Sequence, residues 1–358
     1  MSTRIEGYDI ARAVAVFGMV LVNFKVAMGA EEAGVAWLVA VTGLVDGKAA
    51  ATFVVLAGVG MSLMSRRAVA SGDPAALGAV RRRLLKRALF LFVVGMAYTP
   101  LWNADILHFY GVYMLLAVWV LAWPGVALTA AALGANVLFF GMLLVLDYEA
   151  GWNWETLTYE GLFTPRGLVR HLFFNGFHPV FPWITYMLLG IWLGRRDLAD
   201  TGTRRRIGAG AVGLVLGVTA ASRWLVHTVG DGIDGTRDTT VALFGTVPMP
   251  PNVFAIGAGC AAAVVVIVCA IELEHRIRGT AVGRALVATG QLALTLYVAH
   301  VVLGMGALLL LGRLEGQTLP FALGAATVFM AAAVAFAAWW RGRWDRGPLE
   351  ILMRRATG

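Results

Sequence analysis

The chain has 358 residues, 59% of them hydrophobic and only 14% charged, with a mean hydropathy of +0.76, whereas a soluble domain is roughly a quarter charged. That is too little polar surface to clothe a water-soluble globule of this size. The formal charge of +8 and pI near 9.9 do not signal nucleic acid, because the basic residues gather in short segments between apolar runs, which is a topology signal.

A bilayer core of about 30 Å needs around 20 apolar helical residues, and backbone groups left unpaired in lipid are costly, so helices are expected. On that ruler the predicted spans are 10–28, 48–65, 86–103, 106–122, 126–146, 174–194, 207–228, 252–272, 286–312 and 319–340. The first is read as a retained span and not a cleaved leader, because Arg12 lies inside it and Asp9 at its edge. Residues 35–45 are too few to cross and are expected to form an interfacial or re-entrant helix. The fold class is therefore all-α, a polytopic transmembrane bundle of about ten spans forming one membrane domain over 1–358.

Arginines and lysines set the orientation. Arg66, Arg67, Arg81, Arg82, Arg83, Lys86 and Arg87 fall between the second and third spans, and Arg195, Arg196, Arg204, Arg205 and Arg206 between the sixth and seventh. Arg276, Arg278 and Arg284 follow the eighth span, and Arg341, Arg343, Arg346, Arg354 and Arg355 the tenth. All these segments share one side, which the positive-inside rule makes cytoplasmic, with both termini. The opposite side receives 147–173, with Tyr148, Trp152, Trp154 and Tyr159, and 229–251, with Asp231, Asp234 and Asp238. The implied location is integral to the cytoplasmic membrane, with the lipid bilayer as partner and no nucleic acid. A homo-oligomer is left open.

Polar groups inside spans usually face a cavity or a partner, since each costs roughly 2.5–3.5 kcal/mol at a helix centre. Asp9 and Arg12 are three apart at the cytoplasmic end of span 1, and Asn23, eleven residues after Arg12, returns to within about 20° of the same face. Asp46 is read either as the orienter of a base or as a cap paired with Lys48. Asp105 and His108 are at i and i+3, a spacing at which a carboxylate fixes an imidazole's tautomer, as a general base needs. Equally, Asp105 could cap the helix and His108 fill an interfacial position.

Span 6 opens with Asn175, His178, Pro179, Pro182 and Trp183, a pattern of irregular backbone leading into a helix and a candidate pocket wall, with His178 the second candidate base. In span 9, Gln291, Thr295, Tyr297 and His300 read as one polar stripe. His171, His227 and His275 lie at loops or helix ends and give no signal. The six histidines show no tight metal spacing, so no metal is expected. Cys260 and Cys269, nine apart on one helix, face opposite ways and form no framework.

The run 9–24, with Asp9, Arg12, Gly18 and Asn23, resembles the first span of the YeiB-type family of bacterial membrane proteins. So do Asp46-Gly47-Lys48 with Gly58 and Gly60, Asp105-Ile106-Leu107, and Gly347-Pro348-Leu349-Glu350. That family is similar in turn to the membrane domain of heparan-alpha-glucosaminide N-acetyltransferase and, more distantly, to acyltransferases that modify surface polysaccharides. The resemblance implies acyl transfer from cytoplasmic acetyl-CoA or another acyl-CoA to a hydroxyl or amine of a glycan or small molecule. It places Arg12, with Asp9, near the CoA path. The polysaccharide enzymes carry a histidine where this chain has Asn23, which cannot accept a proton, and 26–45 holds no histidine. Under this reading His108 with Asp105, or His178, supplies the base, while Asn23, Asp46, Asn175, Trp183, Gln291, Tyr297 and His300 line the substrate pocket. The alternative is a small-molecule transporter whose route the same polar groups line.

Overall fold

A computed structural model describes residues 4–230 and 237–358. Asp231 and Asp234 lie outside the described residues. Helices run over α1 Gly7–Met28, α2 Ala36–Gly43, α3 Lys48–Ser71, α4 Pro74–Tyr98, α5 Leu107–Ala117, α6 Gly125–Val145, α7 Pro165–Arg170 and α8 Val180–Leu193. They continue with α9 Thr201–Leu225, α10 Arg237–Phe244, α11 Val253–Ile277, α12 Ala281–Gln291, α13 Ala293–Ala299, α14 Gly306–Leu310, α15 Leu319–Arg341 and α16 Pro348–Thr357. One small hairpin, β1 Trp152–Asn153 with β2 Thr158–Tyr159, pairs Trp152 opposite Tyr159.

The protein is an all-α membrane protein. Seven described helical stretches are long and apolar enough to cross a bilayer: Gly7–Met28, Ala36–Ser71, Gly125–Val145, Thr201–Gly230, Val253–Ile277, Ala293–Leu310 and Leu319–Arg341. Leu107–Ala117 and Val180–Leu193 are apolar but shorter. The short helix expected within 35–45 is α2. The segment 229–251, expected to be a loop, contains α10.

The chain forms two compact units, residues 1–53 with 263–356, and residues 54–262 with 357–358. In the first, α1 packs against α12 and α15. Close approach there depends on glycine: a Cβ on Gly290 would lie 1.8 Å from the Asp9 carbonyl oxygen. The second unit joins α4 to α5 and α8 to both α5 and α6. Gly58 of α3 and Gly190 of α8 meet backbone to backbone, a Cβ on Gly190 lying 2.0 Å from the Val55 carbonyl oxygen. Small residues let helices approach to this distance, and in lipid that packing is a main source of helix association.

The stretch 286–312, expected to be one helix, is two helical pieces. It breaks at Leu292 (φ −104°, ψ 20°) and widens into a π-helical turn at His300–Met305. Glu350 explains the break, because its Oε1 accepts from the Leu294 and Thr295 amides (2.9 and 3.2 Å) and its Oε2 from the Thr295 hydroxyl (2.6 Å). These are the orphan donors of a helix start, so a carboxylate from α16 caps α13.

Candidate active site

The second unit holds a cluster of three histidines. Between α4 and α5 the chain turns through Asp105, whose Oδ2 accepts from the Leu107 and His108 amides at 2.9 and 3.3 Å. The same oxygen lies 3.0 Å from His108 Nδ1, and both side chains are fully buried. Asp105 thus satisfies the first amides of α5 and also orients an imidazole. A carboxylate only accepts, so Nδ1 carries the hydrogen and Nε2 the lone pair. No described group pairs with that Nε2. Gly95 makes the arrangement fit, since a Cβ there would stand 2.2 Å from the His108 amide nitrogen.

His171 and His178 complete the cluster. His171 opens a π-helical turn, His171–Asn175, continuous with α7, and its ring stacks on His108 at 5.5 Å between centroids and on Phe109 at 5.0 Å. His178 packs edge-on against Trp183 at 4.6 Å and lies 5.9 Å from Phe109, while its carbonyl accepts from the Tyr113 hydroxyl. Most buried side chains satisfy their polar atoms. Here the exceptions concentrate: of nine such unpartnered atoms among the described residues, six belong to Trp102, His108, Tyr148, His171, His178 and Trp183.

The loop 147–173 is tied over this cluster. Tyr159 sits edge-on to His171 at 4.7 Å, donates to Asn175 Oδ1 (2.7 Å) and accepts from Arg170 Nε (2.7 Å). Burial raises its hydroxyl pKa, an effect the Arg170 hydrogen bond partly offsets. The Asn175 amide donates to the Tyr148 and Ala150 carbonyls at 2.8 and 2.9 Å, and Trp152 Nε1 reaches the Asn175 carbonyl. Asn175 therefore holds the loop, with its amide hydrogens committed to backbone. Beside it opens a cavity of about 370 Å³ lined by Thr99, Pro100, Asn103, Thr158, Tyr159, Gly161, Leu162, Phe163 and Thr164. Thr99 and Tyr159 are its link to the histidines, Thr99 Oγ1 standing 3.5 Å from His108 Nδ1.

The remaining sequence candidates belong to the first unit. Asp9 takes Arg12 and Arg4, both at 2.6 Å, and Gln291 Nε2 at 3.4 Å. Asp46 does not pair with Lys48 through its carboxylate. It takes the ammonium of buried Lys25, at 2.9 and 3.1 Å, and Lys48 reaches only the Asp46 carbonyl. Nor do Gln291, Thr295, Tyr297 and His300 form one stripe, because the break at Leu292 and the π-turn redirect them. Gln291 goes to Asp9, Thr295 to Glu350, and His300 Nε2 to Asn23 Nδ2 at 2.9 Å. His300 Nδ1 lies against the Tyr297 carbonyl, so Nδ1 donates and Nε2 accepts from Asn23. Sequence reasoning passed over His171, which lies seven residues before His178 within an aromatic segment. Among the described residues no three His, Cys, Asp or Glu side chains are grouped to hold a metal.

A family model described as heparan-alpha-glucosaminide N-acetyltransferase, catalytic, matches residues 4–229. The chain belongs to that family. The match to the N-acetyltransferase family takes in Asp105, His108, His171 and His178, and so the whole histidine cluster. A second family model, described as protein of unknown function (DUF418), matches residues 203–358, which include the Glu350 cap. The likeness read from the first span and from Gly347-Pro348-Leu349-Glu350 is borne out by these two matches. No curated protein matches the chain.

Proposed function

We propose that the protein is a transmembrane acyltransferase that moves an acyl group, in the first instance acetyl, from cytoplasmic acyl-CoA to a hydroxyl or amine of an extracytoplasmic glycan or small metabolite. The observation that carries this reading is the buried Asp105–His108 pair beside a cavity, within the stretch that matches the N-acetyltransferase family. His108 Nε2 removes the acceptor proton as the acceptor oxygen or nitrogen attacks the thioester carbonyl carbon. The C–S bond then breaks, and the CoA thiolate takes the proton back from the imidazolium, which Asp105 stabilises. Ten crossings, with both termini in the cytoplasm and Asp9 and Arg12 at the CoA entrance of the cytoplasmic membrane, complete the proposal.

The test is acetyl-CoA turnover by the purified protein in nanodiscs, with His108→Ala and His178→Ala variants. Absence of acetyl-CoA binding and hydrolysis, or turnover indifferent to both substitutions, overturns it. The second reading, transport of a small molecule, is favoured by the break at Leu292 and the π-turn at His300–Met305, because discontinuous helices build transport sites. Proteoliposome flux abolished by Gln291, Thr295 or His300 substitutions would select it.

A further inference from the structure

We propose that His171 is a second proton-handling residue of this site, receiving through a bridging water the proton that His108 takes up. The proposal rests on the acyl-transfer reading. His108 Nδ1 is committed to Asp105 at 3.0 Å, so Nε2 is the nitrogen that gains a proton and must release it. The His108 side chain is fully buried, and bulk water does not reach it in this conformation.

His171 offers the next station. Its ring lies nearly parallel to His108, 20° between planes and 5.5 Å between centroids, so the two imidazoles stack and make no direct hydrogen bond. The residue is 1% exposed, yet its Nδ1 has no partner. An ordered water needs two to four polar partners, and His108 Nε2 and His171 Nδ1 are two buried nitrogens that have none among the described residues. On its far side His171 meets Tyr159 at 4.7 Å, and Tyr159 lines the cavity. His171 thus touches both the base and Tyr159 of the cavity wall. The π-helical turn that begins at His171 sets the register of this ring; such widened turns recur at functional sites.

The proton balance closes. The acceptor O–H or N–H proton passes to His108 Nε2, then through the water to His171 Nδ1. It returns by the same path to the departing CoA thiolate, leaving both imidazoles neutral and CoA as the free thiol. His171 touches neither reacting carbon nor thioester in this scheme and acts through His108.

Acetyl-CoA hydrolysis, with water as acceptor, is measured for the protein in nanodiscs carrying His108→Ala, His171→Ala or His171→Asn, with and without free imidazole. Relay predicts that His171→Ala lowers kcat by about a hundredfold at unchanged KM, and that imidazole restores it by about tenfold. A purely structural role would not respond to a small base. If the wild type does not hydrolyse acetyl-CoA, or His108→Ala is fully active, the underlying reading fails. An inactive His108→Ala beside a fully active His171→Ala, or a loss that imidazole does not restore, overturns the relay alone. Should His171→Ala fail to fold, the rate of the wild type in mixed light and heavy water decides: a curved dependence on deuterium fraction supports several protons in flight, and a straight line overturns the relay.

Discussion

Replacing Asp105 by asparagine separates the two duties that one oxygen performs. Oδ2 receives the Leu107 amide at 2.9 Å, the His108 amide at 3.3 Å and His108 Nδ1 at 3.0 Å, in a fully buried setting. Turning the asparagine NH₂ inward would strand two buried backbone donors at roughly 1–3 kcal/mol each. The amide oxygen therefore stays inward, the Nδ1–H tautomer survives, and the fold changes by about 1 kcal/mol or less. What disappears is the charge facing the imidazolium. Two unit charges 3.0 Å apart interact by roughly 5 kcal/mol at an effective dielectric of about 20, and each 1.4 kcal/mol or so of barrier is about tenfold in rate. Part of that attraction is offset by desolvation, so Asp105→Asn is expected to lower acetyl-CoA hydrolysis by about a thousandfold with a near-normal melting temperature. Asp105→Ala, which leaves both amides unmet, loses the same activity and roughly 2–6 kcal/mol of stability as well. Thermal melting in detergent and thiol release in nanodiscs read both quantities. An Asp105→Asn protein with more than about a third of wild-type turnover would refute the assignment of Asp105 to His108, because a carboxylate and an imidazolium at this separation attract far more strongly than so small a loss would require.

Gly190→Ala sets a Cβ 2.0 Å from the Val55 carbonyl oxygen and 2.8 Å from Gly58 Cα, backbone atoms that cannot step aside, so a loss of about 1–3 kcal/mol or more is expected on melting. For Lys25 and Asp46, side-chain exposures of 2% and 28% fix the order of damage. Asp46→Asn strands a buried ammonium and costs about 3–5 kcal/mol, Lys25→Met strands a carboxylate that reaches water and costs less, and the double replacement recovers part of the loss; the reverse order would contradict the pairing. Burial is the first cause of a raised Glu350 pKa, partly offset by hydrogen bonds from Thr295 and Leu294. A carboxyl raised in the folded state contributes stability that is fully present below its unfolded value near 4.5 and lost as pH rises through the folded value. The melting temperature of the wild type relative to Glu350→Gln should therefore fall between pH 4.5 and neutrality, and a flat or rising difference would exclude the titration.

Hydropathy located helix within every predicted apolar run because the bilayer constraint is one-dimensional: length and apolarity suffice. It erred where charge or a distant contact decides. Helix α3 continues to Ser71 and α4 begins at Pro74, well outside the apolar runs, since arginine-rich turns are still good helix and Asp73 caps α4 through the Ala75 amide. The break at Leu292 was invisible for another reason. Nothing local to 286–300 interrupts a helix, and the carboxylate that caps α13 comes from Glu350, more than fifty residues away.

The candidate site divides along the same line. Asp105 and His108 were legible as a pair because the three-residue spacing of a helix-start turn sets their distance, whatever the rest of the chain does. Asp46 was not, since its partner is chosen by packing. Gly18 brings α1 so close to Ala49 that a Cβ would lie 2.6 Å from the Ala49 methyl, and that approach accompanies the delivery of Lys25 to Asp46 in place of the nearer Lys48. His171 is the intermediate case. Its spacing from His178 was readable, but the π-turn at His171–Asn175 and the kink before α8 mean that helical arithmetic between the two is invalid. Only the stacking on His108 reveals which of the chain's histidines joins the dyad. Polar residues in a membrane sequence can thus be flagged one by one from their cost. Which of them act together depends on glycine contacts and widened turns, and these leave no periodic trace in the sequence.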